Sequence, residues 1–169
     1  MPSSKVLQAD CNGVYVLKFV GEVRLNSCST IDTAIENIAS SPNFCSLVVD
    51  LTETLLIDST TLGLLAKLAV KAKQSSPALP SIISTNPDIT RILISMGFDT
   101  VFLIVEEPLE DEHDLVELLP TVLDEDTMRR NVLNAHKVLM DLNENNREKF
   151  RDLVTALEAD DSLAIHASL

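Results

Sequence analysis

The sequence predicts an α/β domain with a mixed, mostly parallel five-stranded sheet and packed helices, followed by further C-terminal helices. Three observations lead to this fold class. Short apolar runs rich in β-branched residues alternate with amphipathic helical stretches, a hairpin signal joins the first two runs, and the resulting order is β-β-α-β-α-β-α-β. The 169 residues and 46% hydrophobic content suffice for one domain with a substantial core.

The first two strands are predicted at residues 5–10 and 14–20, which carry valine, leucine, tyrosine and phenylalanine. Asn12 and Gly13 lie between them. Both residues tolerate a positive φ and favour a two-residue hairpin turn, so we expect the two strands to pair antiparallel.

A helix follows, with Asn26 and Ser27 as candidate N-caps and an end near Ser40. Residues 46–51 form a nearly continuous apolar run, which is typical of a strand covered by helices on both faces. Residues 52–54 are predicted to be a short loop.

The second half of the domain continues the alternation. Residues 81–84 predict a short buried strand, Pro87 lies near the first turn of a helix, and Gly97 is a suitable terminator for that helix. Residues 101–105 are predicted to be the last strand of the sheet.

The stretch from residue 55 to 73 changes from an apolar run to an amphipathic helix through Asp58 and Ser59. Both side chains suit an N-cap, so a hydroxyl is expected at an exposed, rigidly mounted helix N-terminus that tolerates negative charge. Capping alone would account for Ser59. The helix buries a stripe that consists of Leu62, Leu65, Ala69 and Ala72.

The succession of buried strand, Asp58-Ser59-Thr60, Leu62-Gly63 and amphipathic helix resembles the STAS domain over residues 5–120, and in particular the bacterial anti-sigma factor antagonists. The resemblance implies a STAS domain at residues 1–120. It also implies that a partner kinase phosphorylates Ser59, with Thr60 as the second choice. Arg24 stands where the family usually has Asp, so a contact made by that Asp is not implied here.

As in the family, the unmodified protein would bind an anti-sigma factor or a kinase-like regulator, the phosphorylated protein would release it, and a protein phosphatase would reset the cycle. The resemblance places the partner-binding site at Asp58, Ser59, Thr60, Thr61, Leu62 and Gly63. Two other classes stay open. One is a phosphorylation-independent STAS scaffold in a larger signalling or transport complex, and the other is an enzyme with an unrecognised site.

The segment from residue 106 to 126 holds ten of the 26 acidic residues and no Lys or Arg. Its composition predicts a solvated linker, although Leu115, Leu118 and Leu119 could form a short closing helix. A specific acidic docking surface is the less favoured reading.

Residues 121–169 form a C-terminal helical extension that the basic family pattern lacks. One helix carries the stripe Met128, Val132, Ala135, Leu139 and Leu142, and a second carries Phe150, Leu153, Val154 and Leu157. Asn145 and Glu148 resemble a capping box for the second helix. The stripes must be buried on the domain, against each other or on another chain, and the last alternative leaves a homodimer open.

Catalysis by the protein itself is disfavoured, because no nucleophile elbow, phosphate-binding loop, zinc-protease or dinucleotide motif is present. No cofactor and no metal are expected. His113, His136 and His166 show no ligand spacing and are predicted to be surface residues.

The composition also bears on partners and compartment. A net charge of −13 disfavours nucleic acid, and no apolar run approaches the ~20 residues that span a bilayer. No signal-peptide pattern follows Met1, and three cysteines without a CxxC pair favour reduced thiols. We therefore expect a soluble cytoplasmic protein.

Overall fold

The computed structural model describes residues 4–109 and 114–167, with side chains up to residue 161. Within these residues the chain forms six strands, five α-helices and two 3₁₀ turns, at Leu25–Ser27 and Phe98–Thr100. The strands and helices are, in chain order, β1 Lys5–Cys11, β2 Val14–Val23, α1 Cys28–Ala39, β3 Ser46–Ile57, α2 Ser59–Ser75, β4 Ser81–Ile83, α3 Pro87–Ser95, β5 Leu103–Val105, β6 Val116–Glu117, α4 Glu125–Leu142 and α5 Glu144–Ala167.

The sheet is mixed, with the strand order β5-β4-β3-β2-β1-β6. The four strands from β2 to β5 are parallel, while β1 pairs antiparallel with both β2 and β6. Asn12 (φ 54°) and Gly13 (φ 91°) make the hairpin between β1 and β2. The predicted mixed, mostly parallel sheet with packed helices is confirmed.

Strand β3 runs through residues 52–54, which were predicted to be a loop. Two register shifts in the β2–β3 pairing allow this extension, because they bend the strand without ending it. Thr54 is buried, and its hydroxyl donates a hydrogen bond of 2.9 Å to the Phe19 carbonyl. The longer strand carries the chain directly to the start of α2.

The sheet has a sixth strand where the sequence predicted five. Strand β6 comes from the acidic segment, and Leu118 donates its N–H to the Val6 carbonyl at 2.8 Å. The hydroxyl of Ser29 on α1 bonds the carbonyl of Thr121 farther along. The predicted solvated linker and closing helix are therefore wrong at residues 116–121, because the backbone there satisfies its polar groups on the domain. Residues 110–113 lie outside the described residues.

Two predicted boundaries also shift. Helix α1 begins after a 3₁₀ turn, so Ser27 makes no capping hydrogen bond with its side chain. Strand β5 begins at Leu103, because Val101 and Phe102 still belong to the turn that follows Gly97.

The two C-terminal helices fold back on the α/β domain and pair with each other. Ala135, Leu139 and Phe150 belong to the same core cluster as Leu17 and Leu65 of the domain. Of the nine stripe residues, four are buried, four are half-buried and one is exposed, so the stripes pack within one chain. The sequence had left packing on a second chain open. The division at residues 120 and 121 stays a prediction.

The connection between these helices differs from the predicted capping box. Asn143, which follows α4, accepts a hydrogen bond of 2.8 Å from the N–H of Asn146 and so caps α5 two residues before the predicted cap. Asn145 is exposed. Leu153 is also exposed, at 42%, while its neighbour Val154 is buried.

Candidate functional site: the start of helix α2

Ser59 is the first residue of α2, directly after the end of β3. Asp58 is the N-cap, and its carboxylate accepts a hydrogen bond of 2.8 Å from the N–H of Thr61. The Asp58 N–H donates to the Val23 carbonyl at 3.2 Å, which ties the helix start to the end of β2. Ser59 thus sits at a rigid helix start, half-buried, while the capping is done by Asp58.

The Ser59 hydroxyl forms a hydrogen bond with a side chain of the C-terminal extension. Its Oγ lies 2.8 Å from Nε2 of His136 on α4. Nδ1 of the same ring lies 2.7 Å from the Val132 carbonyl oxygen, which can only accept. Nδ1 therefore carries a proton, and in the neutral form of the ring Nε2 accepts the Ser59 hydroxyl proton.

His136 is buried, with 2% of its surface exposed, which corrects the prediction of a surface histidine. Burial is compatible with a polar ring here because both ring nitrogens have partners. The Phe150 ring of α5 packs on the imidazole in an edge-on arrangement, with centroids 5.2 Å apart. His113 and the side chain of His166 lie outside the described residues.

Helices α2 and α4 come into close backbone contact at Gly63. A Cβ built on Gly63 would lie 2.2 Å from the carbonyl oxygen and 2.7 Å from the Cβ of Ala135. No side chain can fit in this space. The absence of one at position 63 therefore lets α4 lie directly on the backbone of α2.

The six residues that the sequence placed in a partner site lie together, but α4 covers part of their surface. Thr60, Thr61 and Leu62 are buried, whereas Asp58 and Ser59 keep partial exposure. The sequence missed His136. The sequence shows that His136 adjoins Ala135 of the α4 stripe, but the helical periodicity does not indicate that this stripe packs on α2.

Two buried side-chain polar atoms among the described residues have no hydrogen-bond partner: Oγ1 of Thr61 on α2 and Nδ2 of Asn131 on α4. Each such group loses its hydration without gaining a protein partner, which is unfavourable. The two helices that meet at Gly63 therefore each retain an unsatisfied group.

The electrostatic surroundings of the helix start are acidic. Burial, and then the carboxylates of Asp32 and Asp58, raise the pKa of the Cys28 thiol to about 11. Lys67 pairs with Asp32 at 2.9 Å and partly offsets this negative charge. A phosphoryl group on Ser59 would add negative charge beside Asp58, with the α2 N-terminus as partial compensation.

Other features bear on catalysis and ligands. A cavity of about 650 Å³ lies at the start of α3 and is lined by residues that include Ser84, Thr90, Arg91 and Glu106, with Ser59 outside it. In the described ranges no three His, Cys, Asp or Glu side chains are grouped to hold a metal ion. None of the helices among those residues combines the length and the apolar character of a membrane span.

Comparisons with known proteins identify the fold. No protein-family model matches the chain, and no curated protein matches it. Among solved structures, it is similar to the anti-sigma factor antagonist SpoIIAA in its unphosphorylated form (TM-score 0.52, 12% identity, 62% of this chain and 89% of that chain). It is also similar to the Bacillus cell fate determinant SpoIIAA in its phosphorylated form (TM-score 0.50, 13% identity, 61% of this chain and 92% of that chain). By its sheet, its helix order and these likenesses, the chain has the STAS fold of the anti-sigma factor antagonist SpoIIAA.

Proposed function

We propose that this protein is an anti-sigma factor antagonist of the partner-switching type. Unphosphorylated, it binds an anti-sigma factor or a kinase-like regulator. Phosphorylated on Ser59, it releases that partner, and a protein phosphatase restores binding. The role is regulatory and cytoplasmic, and the chemistry is done to this protein rather than by it.

The position of Ser59 in this fold carries the proposal. Its hydroxyl sits on the first residue of α2, half-buried, behind an Asp58 cap that holds the helix start in place. The structural neighbour SpoIIAA exists in an unphosphorylated and a phosphorylated form. A phosphate at a helix N-terminus is tolerated by the helix dipole, but a partner docked there would have to desolvate it.

The Ser59–His136 pair has a different meaning in an enzyme, where a histidine activates a serine nucleophile. Here the third member is the Val132 carbonyl, 2.7 Å from Nδ1, and the His136 ring of α4 is buried between Ser59 of α2 and Phe150 of α5. Substrate could reach the pair only from the partly exposed side of Ser59. A binding role accounts for the arrangement with fewer requirements than catalysis.

The test uses full-length protein in two states. It is incubated with a candidate serine kinase, and phosphopeptide mass spectrometry locates the phosphate. Unmodified and phosphorylated forms then serve as baits for the anti-sigma factor. We expect the phosphate on Ser59 and capture by the unmodified form only. Equal capture by the two forms would refute partner switching.

A phosphorylation-independent STAS scaffold is the second candidate, and the Ser59–His136 hydrogen bond of 2.8 Å favours it, because it gives the hydroxyl a structural role. The two candidates differ in cells. Ser59→Ala should fix an antagonist in its binding state and change the expression of the sigma factor's genes. A scaffold should be indifferent to the loss of the hydroxyl as long as the fold is kept.

A further inference from the structure

The face of α2 around Ser59 and Gly63 is already occupied by a helix of the same chain. At one end Ser59 bonds His136, and at the other the Ala135 backbone lies where a Gly63 side chain would be. Helix axes usually stay 8–10 Å apart, and small residues at the crossing allow the closest approach. This face therefore accepts a helix that carries a small residue and excludes one that carries a large residue.

We infer that the α2 face between Ser59 and Gly63 is a helix-binding surface for the protein partner, and that α4 is an intrachain competitor for it. The inference rests on the proposed function, because the partner meant is the one that the antagonist binds. The partner fits this surface if it presents a helix with Gly, Ala or Ser opposite Gly63. It also needs a hydrogen-bonding group opposite the Ser59 hydroxyl.

The contact is suited to exchange. Thr61 on α2 and Asn131 on α4 keep buried side-chain polar atoms without partners among the described residues, and each such atom is a cost to the state in which α4 is docked. The chain between β5 and α4 holds one short strand, β6, whose side chains are exposed. Hydrogen bonds to Val6 and Ser29 hold this connection on the domain as far as Thr121, so residues 122–124 are the part that can move with α4.

Two consequences follow for the proposed cycle. The affinity for a partner is reduced in proportion to the fraction of molecules in which α4 covers the face. The kinase meets the same obstacle, because in the covered form the Ser59 hydroxyl is donated to His136. Partner and kinase then act on the same open form.

The competition by α4 is tested without an identified partner, because a labelled synthetic peptide of residues 124–161 of this chain serves as the helix. The full-length chain is compared with its Ala135→Leu variant, in which the larger side chain cannot lie against Gly63. Ala156→Leu, the same change at an exposed site on α5, is the matched control. We expect the Ala135→Leu chain to bind the peptide at least about tenfold more tightly than wild type and the control do.

Hydrogen exchange on the same variants reports the position of α4. Ala135→Leu should lose protection over residues 125–142 and keep it over β2 and β3. A peptide that itself carries Ala135→Leu should not bind. Equal peptide binding by wild type and variant, absence of binding by both, or unchanged protection of α4 would each overturn the inference.

If Ala135→Leu fails to fold, His136→Ala takes its place, because it removes the Ser59 hydrogen bond without adding volume. It should give a smaller gain in peptide binding, and no gain would again overturn the inference. The two proposals fail separately. Failure to find a kinase or an anti-sigma partner would refute the proposed function but leave the peptide result standing. Equal peptide binding by wild type and variant would overturn the inference but leave the proposed function standing.

Discussion

Gly63 and Ala135 meet so closely that a Cβ on Gly63 would come within 2.2 Å of the Ala135 carbonyl oxygen. The obstacle is backbone, which cannot rotate away as the end of a flexible side chain would. Helix α4 can therefore pack this closely on α2 only because residue 63 is glycine. It gives the C-terminal extension a direct connection to the helix that begins at Ser59.

Gly63→Ala should detach α4 from α2. Overpacking of this kind costs about 1–3 kcal/mol, while alanine in a helix interior regains up to about 1 kcal/mol over glycine. We expect a modest net loss in the free energy of unfolding and a large loss of hydrogen-exchange protection confined to α4 and α5.

The backbone nature of the clash supplies the control. Ala135→Gly removes a Cβ but leaves the carbonyl oxygen in place, so the double variant Gly63→Ala/Ala135→Gly should still lose protection of α4. Full rescue in the double variant would show that the two side chains, and not the backbone, limit the approach.

Asn146 should be the main polar anchor of the helix pair. Its buried amide donates to the Met96 carbonyl at 2.8 Å and to the Leu139 carbonyl at 2.9 Å, so it joins the end of α3 to both C-terminal helices. Asn146→Ala leaves two buried carbonyls without a donor and should cost about 2–4 kcal/mol in urea unfolding.

Asn145→Ala is the matched control for that change, because the neighbouring asparagine is exposed and makes no cap. It should stay within about 0.5 kcal/mol of wild type. Comparable losses in the two variants would mean that residue 145, as the sequence suggested, caps α5.

Cys28 should be unreactive in the folded protein, because burial and nearby carboxylates raise the pKa of its thiol from 9.0 to about 11. At about pH 8 a disulfide reagent should modify the exposed Cys45 quickly and Cys28 only after unfolding. Cys45→Ser should remove the fast phase. Fast modification of Cys28 in the native state would contradict the burial.

The same shift makes stability fall at high pH. The folded thiol stays protonated up to about pH 11, whereas an unfolded thiol ionises near its ordinary pKa of 9.0. The unfolded state therefore loses the proton first as pH rises. The free energy of unfolding should decrease between these two values, and Cys28→Ala should flatten that part of the curve.

The order of strands and helices in the α/β domain could be predicted because local patterns determine it. Asn12 and Gly13 carry the hairpin, and Gly97 (φ 82°) ends α3 as expected. The prediction of a loop at residues 52–54 was wrong. Thr54 is a polar residue, but it is buried in the structure, where its hydroxyl donates a hydrogen bond to the Phe19 carbonyl. Phe19 lies 35 residues away in the chain, and a local sequence pattern does not identify so distant a hydrogen-bond partner.

The candidate site shows the same limit. The helix start at Ser59 followed from its neighbours, and the apolar stripe of α4 followed from its period. The sequence did not predict that α4 covers Ser59, because an apolar stripe identifies the face of a helix that is buried and not the surface on which it is buried. For this reason His136 was predicted to be a surface residue, although it lies next to Ala135 of the stripe.

Asp58 and Ser59 should affect stability through different contacts. Asp58→Ala removes the N-cap that bonds the Thr61 N–H and should cost about 1 kcal/mol. Ser59→Ala leaves the cap intact but strands the buried Nε2 of His136, which should cost about 1–3 kcal/mol. In the double variant Ser59→Ala/His136→Leu the loss of stability caused by Ser59→Ala should be smaller, because no unpaired ring nitrogen remains. Additive losses would rule out a coupling between these two side chains.

Ser59→Asp is the last and most direct test of the proposed switch. The new carboxylate stands at the N-terminus of α2, where the helix dipole favours it, and beside Asp58, which opposes it, so the fold should persist with a small change in melting temperature. Binding to the anti-sigma factor should weaken only partially, since an Asp carries less charge than a phosphate. Ser75→Asp adds the same charge at the exposed far end of α2 and serves as the control. Isothermal titration of the variants against one partner measures the effect. Equal weakening by Ser59→Asp and Ser75→Asp would point to net charge alone, whereas weakening confined to position 59 supports a switch at the start of α2.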